Sequence, residues 1–187
     1  MFLKNEWYVA CRVDEITDKP FGRKICNESM VFFHGPHGQV SALEDFCPHR
    51  GTPLSLGKAC QGQLVCGYHG LVMGCDGHTI SMPGHQVRNF EPVKSYAVIE
   101  RYGFVWVWPG DAAKVDPHKM PVFDWFENPA WAYGGGQYHI ACDYRLMIDN
   151  LMDLTHETYV HATSIGQTEI DETPSRTVTE GNSVVTS

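Results

Sequence analysis

Basic residues are scarce: 14 Lys and Arg stand against 22 Asp and Glu, a formal charge of −8 at pH 7. That balance argues against a nucleic-acid partner, which wants a basic face. Long apolar runs are missing too, and no stretch approaches the roughly 20 residues of a membrane-crossing helix. The opening Met-Phe-Leu-Lys-Asn-Glu-Trp lacks the apolar core of a secretory leader, so a cytoplasmic chain without a membrane partner is expected. No internal repeat and no low-complexity tract interrupts the 187 residues, enough for one good domain and part of a second. Seven cysteines are present without framework spacing, and Cys11, Cys26, Cys60, Cys75 and Cys142 read as reduced core thiols.

The other two cysteines come with histidines. Cys47-Pro48-His49 is followed, after sixteen residues, by Cys66-Gly67-Tyr68-His69. Two thiolates for one iron and two imidazoles for the other make a Rieske [2Fe-2S] site, and the neutral ligands raise its potential above that of an all-cysteine cluster. A structural zinc knuckle would use the same ligand types. The flanking residues, Cys-Pro-His-Arg-Gly at 47–51 and Cys-Gly-Tyr-His-Gly at 66–70, favour the cluster, because their glycines let backbone N–H groups approach sulfur. A high-potential site would add a disulfide-bonded cysteine to each loop and hydroxyl donors to the cluster. Gly51 and Gly67 stand nearest in the loops, and Leu71 and Met73 follow where hydroxyls would sit, so a low-potential oxygenase or ferredoxin type is expected.

Short strands and turns fill the first part of the chain. Residues 31–33 and 40–43 flank Gly35-Pro36-His37-Gly38, residues 71–73 and 79–80 flank Gly74-Cys75-Asp76-Gly77, and residues 96–100 and 104–108 flank Tyr102-Gly103, as hairpins would. An antiparallel all-β domain is expected over 1–110, with the ligand loops at hairpin tips. Prolines 117, 121 and 129 and the glycines at 134–136 suggest a connector over 111–137. A second domain should begin near 138, with a strand at Tyr138–Cys142, a helix marked by Leu146, Met147, Leu151 and Leu154, and a hairpin about Glu180-Gly181-Asn182.

That helix carries a second cluster of ionisable groups, from Asp149 and Asn150 through Asp153, His156 and Glu157 to His161. Asp153 and His156, three apart, should share a face. Five residues separate His156 from His161, a turn of about 140° on an ideal helix, so the helix must end or loosen near His156. Two imidazoles brought together in this way, with a carboxylate from elsewhere, make the facial triad of non-haem Fe(II). A solvated helix end with a dipole-favoured histidine is the plainer alternative.

Together the two constellations resemble the Rieske non-haem iron oxygenases. Trp-Tyr-Val-Ala-Cys at 7–11, Cys-Pro-His-Arg-Gly-Thr-Pro-Leu-Ser-Leu-Gly at 47–57, Glu-Arg-Tyr-Gly-Phe-Val-Trp-Val-Trp-Pro-Gly at 100–110 and Asp-Asn-Leu-Met-Asp-Leu-Thr-His-Glu-Thr-Tyr-Val-His at 149–161 are similar to the vanillate-demethylating subfamily. The resemblance implies an α+β chain, an all-β Rieske domain followed by the start of a helix-grip-like α+β catalytic domain at 138–187. It implies Cys47, His49, Cys66 and His69 as cluster ligands, and His156 and His161 as ligands of a mononuclear Fe(II). It implies Asp153 as a carboxylate bridging an iron-ligating His to a cluster His of a neighbouring subunit in a head-to-tail homotrimer, and Asn150 as an iron-proximal side chain. A flavin and iron–sulfur reductase would bring electrons from NADH or NADPH, dioxygen would be the oxidant, and a small methoxylated aromatic acid would lose its methyl group as formaldehyde. The chain ends well short of the family's oxygenase subunit, so the third iron ligand and most of the substrate pocket are expected outside it. A Rieske electron carrier without substrate chemistry is the alternative.

Overall fold

The computed structural model describes residues 2–87, 90–181 and 183–186. It divides into two units, Met1–Tyr133 and Gly134–Ser187. The first unit contains the strands β1 (Tyr8–Arg12), β2 (Phe21–Ile25), β3 (Glu28–His34), β4 (Val40–Glu44), β5 (Lys58–Cys60), β6 (Gln63–Val65), β7 (Val72–Met73), β8 (Thr79–Ser81), β9 (Ser95–Arg101) and β10 (Phe104–Trp108). Antiparallel pairing in the order β1-β10-β9-β4-β3-β2 makes a six-stranded sheet, and β5-β6-β7-β8 makes a second, four-stranded one. The hairpins expected about residues 35–38, 74–77 and 102–103 all form. Strands β5 and β6 escaped the sequence because three residues are too short to display a period of two. At Cys26 and Asn27 both φ angles are positive, as a two-residue hairpin turn between right-twisted strands requires.

Strand β3 is buried on both faces. Met30 and Phe32 enter one apolar cluster, with Val105 and Val107 of β10, while Val31 and Phe33 enter another, with Leu43, Leu54, Leu64, Leu71 and Met73. At about 1.5–3 kcal/mol for each large side chain removed from water, this burial outweighs any single polar contact in the unit. Cys47 and Cys66 sit in the second cluster, between the two sheets. Trp106 and Trp108 on the other face of β10 meet Trp7, Tyr102 and Met120 in a third cluster.

The stretch expected as a connector over 111–137 packs in large part onto this third cluster. Val115, Met120, Phe123 and Phe126 cover its rings, and the Phe123 N–H donates to the Tyr102 hydroxyl at 3.1 Å. Its prolines thus punctuate short 3₁₀ turns rather than a free linker, and the first unit runs on to Tyr133.

In the second unit the expected strand at Tyr138–Cys142 does not form. No segment among the described residues pairs with it, and an extended segment becomes a strand only against a hydrogen-bonding neighbour. Helix α1 (Tyr144–Met152) begins at the N-cap Asp143, whose carboxylate accepts the Arg145 N–H at 3.0 Å. Helices α2 (Glu157–Val160) and α3 (Thr168–Glu172) follow, then the hairpin β11 (Thr177–Glu180) and β12 (Ser183–Thr186). Asn182, in the expected turn, lies outside the described residues. Leu146, Leu151, Tyr159, Val160, Val184 and Val185 are all exposed. Among the described residues no helix is long and apolar enough to cross a membrane.

Candidate functional site

Two five-residue loops of matching construction carry the first constellation. The Cys47 N–H donates to Thr52 O at 2.9 Å and the Gly51 N–H returns to Cys47 O at 2.8 Å. In the second loop the Cys66 N–H donates to Leu71 O at 2.8 Å and the Gly70 N–H to Cys66 O at 3.1 Å. Each closure needs a left-handed residue at its end, and Gly51 (φ 73°) and Gly70 (φ 69°) supply it. The second loop caps the β6–β7 hairpin, as expected. The first does not sit at a hairpin tip: it crosses from β4 in the six-stranded sheet towards β5 in the four-stranded one, through a 3₁₀ turn at Leu54–Leu56.

The loops converge with cysteines inside and histidines outside. Cys47 and Cys66 are 1% and 2% exposed, whereas His49 is half-buried and His69 is exposed. Burial pushes the Cys47 thiol up, the backbone N–H groups of His49 and Arg50 pull it down, and the adjacent Cys66 thiol raises it again. A neutral thiol is a weak target for two backbone donors, and a metal-bound thiolate or bridging sulfide is a strong one. The cradle therefore fits a charge-bearing sulfur centre that burial alone would not tolerate. The His49 and His69 rings stand 4.6 Å apart at 69°, with Tyr68 against His69 (3.8 Å) and Phe90 beside His49 (6.1 Å). Two buried thiols and two outer imidazoles converge here, the donor set that a Rieske [2Fe-2S] cluster divides between its two irons. Beside the outer edge, His49, Arg50, Met82, His85, Val87 and Phe90 line an open cavity of about 700 Å³.

In the second unit the helix breaks at Asp153, three residues before His156. Asp153 has extended geometry (φ −112°, ψ 96°) and begins a 3₁₀ turn, Leu154–His156, that leads into α2. The break undoes the shared helical face expected for Asp153 and His156. Instead the Asp153 carboxylate turns to Thr155, whose N–H and hydroxyl both donate to Oδ1, at 3.1 and 2.6 Å. Those bonds hold its carboxyl below the usual range. Thr155 was not singled out in the sequence, although Asp followed two residues later by Thr is a capping signal. His156 meets the backbone of Asp153: Nδ1 lies 2.6 Å from the Asp153 carbonyl, which can only accept, so Nδ1 carries a proton, and in the neutral ring the lone pair sits on Nε2. A metal-ligating imidazole has this polarity. The Asn150 amide Nδ2 lies 3.2 Å from that Nε2, and the His161 ring centroid is 5.5 Å from that of His156. Two imidazoles thus converge with Asn150 beside them, and the described residues bring no carboxylate to the pair.

A family model described as the Rieske [2Fe-2S] domain matches residues 6–97, and one described as the vanillate O-demethylase oxygenase C-terminal domain matches residues 140–187. Over its whole length the chain is 67% identical to a vanillate O-demethylase oxygenase subunit of a Pseudomonas sp., of which it covers 53%. It is 43% identical over 162 residues to the oxygenase component of a dicamba O-demethylase of Stenotrophomonas maltophilia, an alignment spanning 86% of this chain and 48% of that one. A crystal structure of dicamba monooxygenase bound to dicamba superposes with a TM-score of 0.87 at 38% identity, over 96% of this chain and 54% of that one. The chain spans about half the length of the curated relatives it matches.

Proposed function

The chain belongs to the Rieske non-haem iron oxygenases, and from that premise we propose that it is the cluster-bearing part of an oxygenase subunit that O-demethylates a methoxylated aromatic acid, converting vanillate to protocatechuate and formaldehyde. The observation that carries this reading is the convergence of Cys47 and Cys66 beneath His49 and His69, in a chain 67% identical to a vanillate O-demethylase oxygenase subunit. Cys47 and Cys66 would hold the inner iron of the cluster, and His49 and His69 the outer one. His156 and His161 would hold a mononuclear Fe(II). When bound, the cluster supplies single electrons and the Fe(II) centre supplies dioxygen activation.

The residues of the chain do the positioning. The apolar shell of Val31, Phe33, Leu43 and Leu64 keeps water from the inner pair, while the exposed edge at His49 and His69 is where electrons enter and leave. The Asp153 carbonyl holds a proton of His156 on Nδ1, so that Nε2 would be the nitrogen offered to a metal. Asn150 donates towards that same nitrogen; a metal bound there would replace this bond and leave the Asn150 amide beside it. Both Thr155 bonds to Asp153 fall on Oδ1, and Oδ2 is the oxygen we assign to a bridge with a cluster histidine of a neighbouring copy in a homotrimer. A flavin and iron–sulfur reductase would deliver electrons from NADH or NADPH in the cytoplasm.

Iron and acid-labile sulfide, counted per chain on anaerobically purified protein, test this. About two irons and two sulfides are expected for the cluster, with a third iron on His156 and His161 only in protein that also supplies the carboxylate ligand the described residues do not bring. In that protein His156→Ala and His161→Ala should each remove about one iron and leave sulfide unchanged. A third iron still missing there would reduce the chain to an electron-transfer module. Iron without sulfide would overturn the reading.

A further inference from the structure

We propose that Asp45 is a positioning residue that sets the spacing of the two cluster-ligand loops, an inference that rests on the functional reading above. Asp45 follows β4, two residues before Cys47, and is not itself a ligand candidate. Its carboxylate grips one residue with both oxygens: Oδ1 accepts the Ser55 N–H at 2.7 Å and Oδ2 accepts the Ser55 hydroxyl at 2.6 Å. The stem that enters the first loop is thereby tied to the 3₁₀ turn that leaves it. Asp45 is in turn anchored to the six-stranded sheet, its N–H donating to Ser29 O of β3 at 2.9 Å. Gly22 of β2 makes room for the grip, since a Cβ there would lie 2.8 Å from the Ser55 Cβ.

The clamped turn is also what the second loop leans on. A Cβ on Gly67, next to Cys66, would lie 2.8 Å from Leu56 O, and a Cβ on Gly57 would lie 2.1 Å from Val65 O and 3.1 Å from the Gly67 nitrogen. Leu56–Gly57 and Gly67 therefore touch backbone to backbone. One continuous path runs from the large sheet through Asp45, Ser55 and Gly57 to Cys66, and Asp45 stands at its junction with Cys47.

Such a device is needed where it is found. The first loop joins strands of different sheets, so no ladder of backbone bonds fixes the sheets to each other along this crossover. Apolar packing beneath the thiols is strong but non-directional. Ligand geometry has to hold to about half an ångström, and two short charge-assisted hydrogen bonds supply that direction.

The test uses the cluster-loaded chain with Asp45→Ala, Asp45→Asn and Ser55→Ala. An Asn oxygen can still accept the Ser55 N–H, and its amide can donate to the Ser55 oxygen, so Asp45→Asn should rescue what Asp45→Ala loses. Electron paramagnetic resonance of the reduced cluster and the rate of iron loss to a chelator are the readouts. For Asp45→Ala we expect shifted or broadened g-values and iron loss roughly tenfold faster or more, with Asp45→Asn near wild type and Ser55→Ala between. Glu100→Ala is the control, because it removes the acceptor of the Val40 N–H at the far end of β4. It should lower thermal stability without moving the spectrum. A wild-type spectrum and chelation rate in Asp45→Ala would overturn this proposal alone. If Asp45→Ala does not fold, a wild-type spectrum and rate in Ser55→Ala would do the same. A wild-type chain without sulfide would overturn the functional reading and this proposal with it.

Discussion

Glu28 at the start of β3 gathers three donors, Lys4, Lys94 (2.7 Å) and the Tyr96 hydroxyl (2.7 Å), and so ties the N-terminal segment and β9 to β3. Partial burial raises its carboxyl, but the bonds from Lys4, Lys94 and Tyr96 win and bring it to about 2, from an ordinary 4.5. A carboxyl depressed on folding stabilises the fold in full above its unfolded value. That contribution is lost as pH falls through the folded value. Glu28→Gln should cost about 1–3 kcal/mol at neutral pH. The gap to wild type should close between pH 4.5 and about 2, as read by denaturant unfolding across that range. A gap of constant size would show that the network does not act through the charge. Asp153 carries a second lesson at this scale: its own backbone break, not helical spacing, decides that Thr155 is its partner.

Between elements, Gly57, at the end of the Leu54–Leu56 turn, lies against the backbone of Val65 at the end of β6 and of Gly67 in the second ligand loop. The atoms that a Gly57 side chain would strike are a carbonyl oxygen and a backbone nitrogen, neither of which can rotate away. Gly57→Ala should therefore push the turn off the loop, costing about 1–3 kcal/mol of stability from overpacking. Iron retention should fall with it. Unfolding midpoints and iron per chain check both, and an alanine variant with full iron and unchanged stability would mean that the loops adjust freely. The break between α1 and α2 is an element-scale decision too. An unbroken helix would have put His156 and His161 on different faces, whereas the extended residue and the 3₁₀ turn bring their rings to 5.5 Å.

Across the whole molecule the two units differ in what they bury. The first encloses three apolar clusters, while the second leaves Leu146, Leu151, Tyr159, Val160, Val184 and Val185 exposed and offers a two-stranded sheet with open edges. The chain of 21.0 kDa should accordingly self-associate on size-exclusion chromatography, more so as salt rises and its net charge is screened. A monodisperse monomer at high salt would refute this. Sequence by itself determined the Cys-His loops and the hairpins, because ligand type, loop closure and turn chemistry are local: Cys47 and Gly51, or Tyr102 and Gly103, lie within one turn of each other. It also placed Asn150, His156 and His161 close enough to meet once the helix broke. Only the tertiary structure decided that residues 138–142 stay unpaired, that residues 115–126 pack as part of the first unit, and that the first ligand loop crosses between sheets. Each of those depends on which distant segment arrives as a neighbour, and no local pattern encodes that.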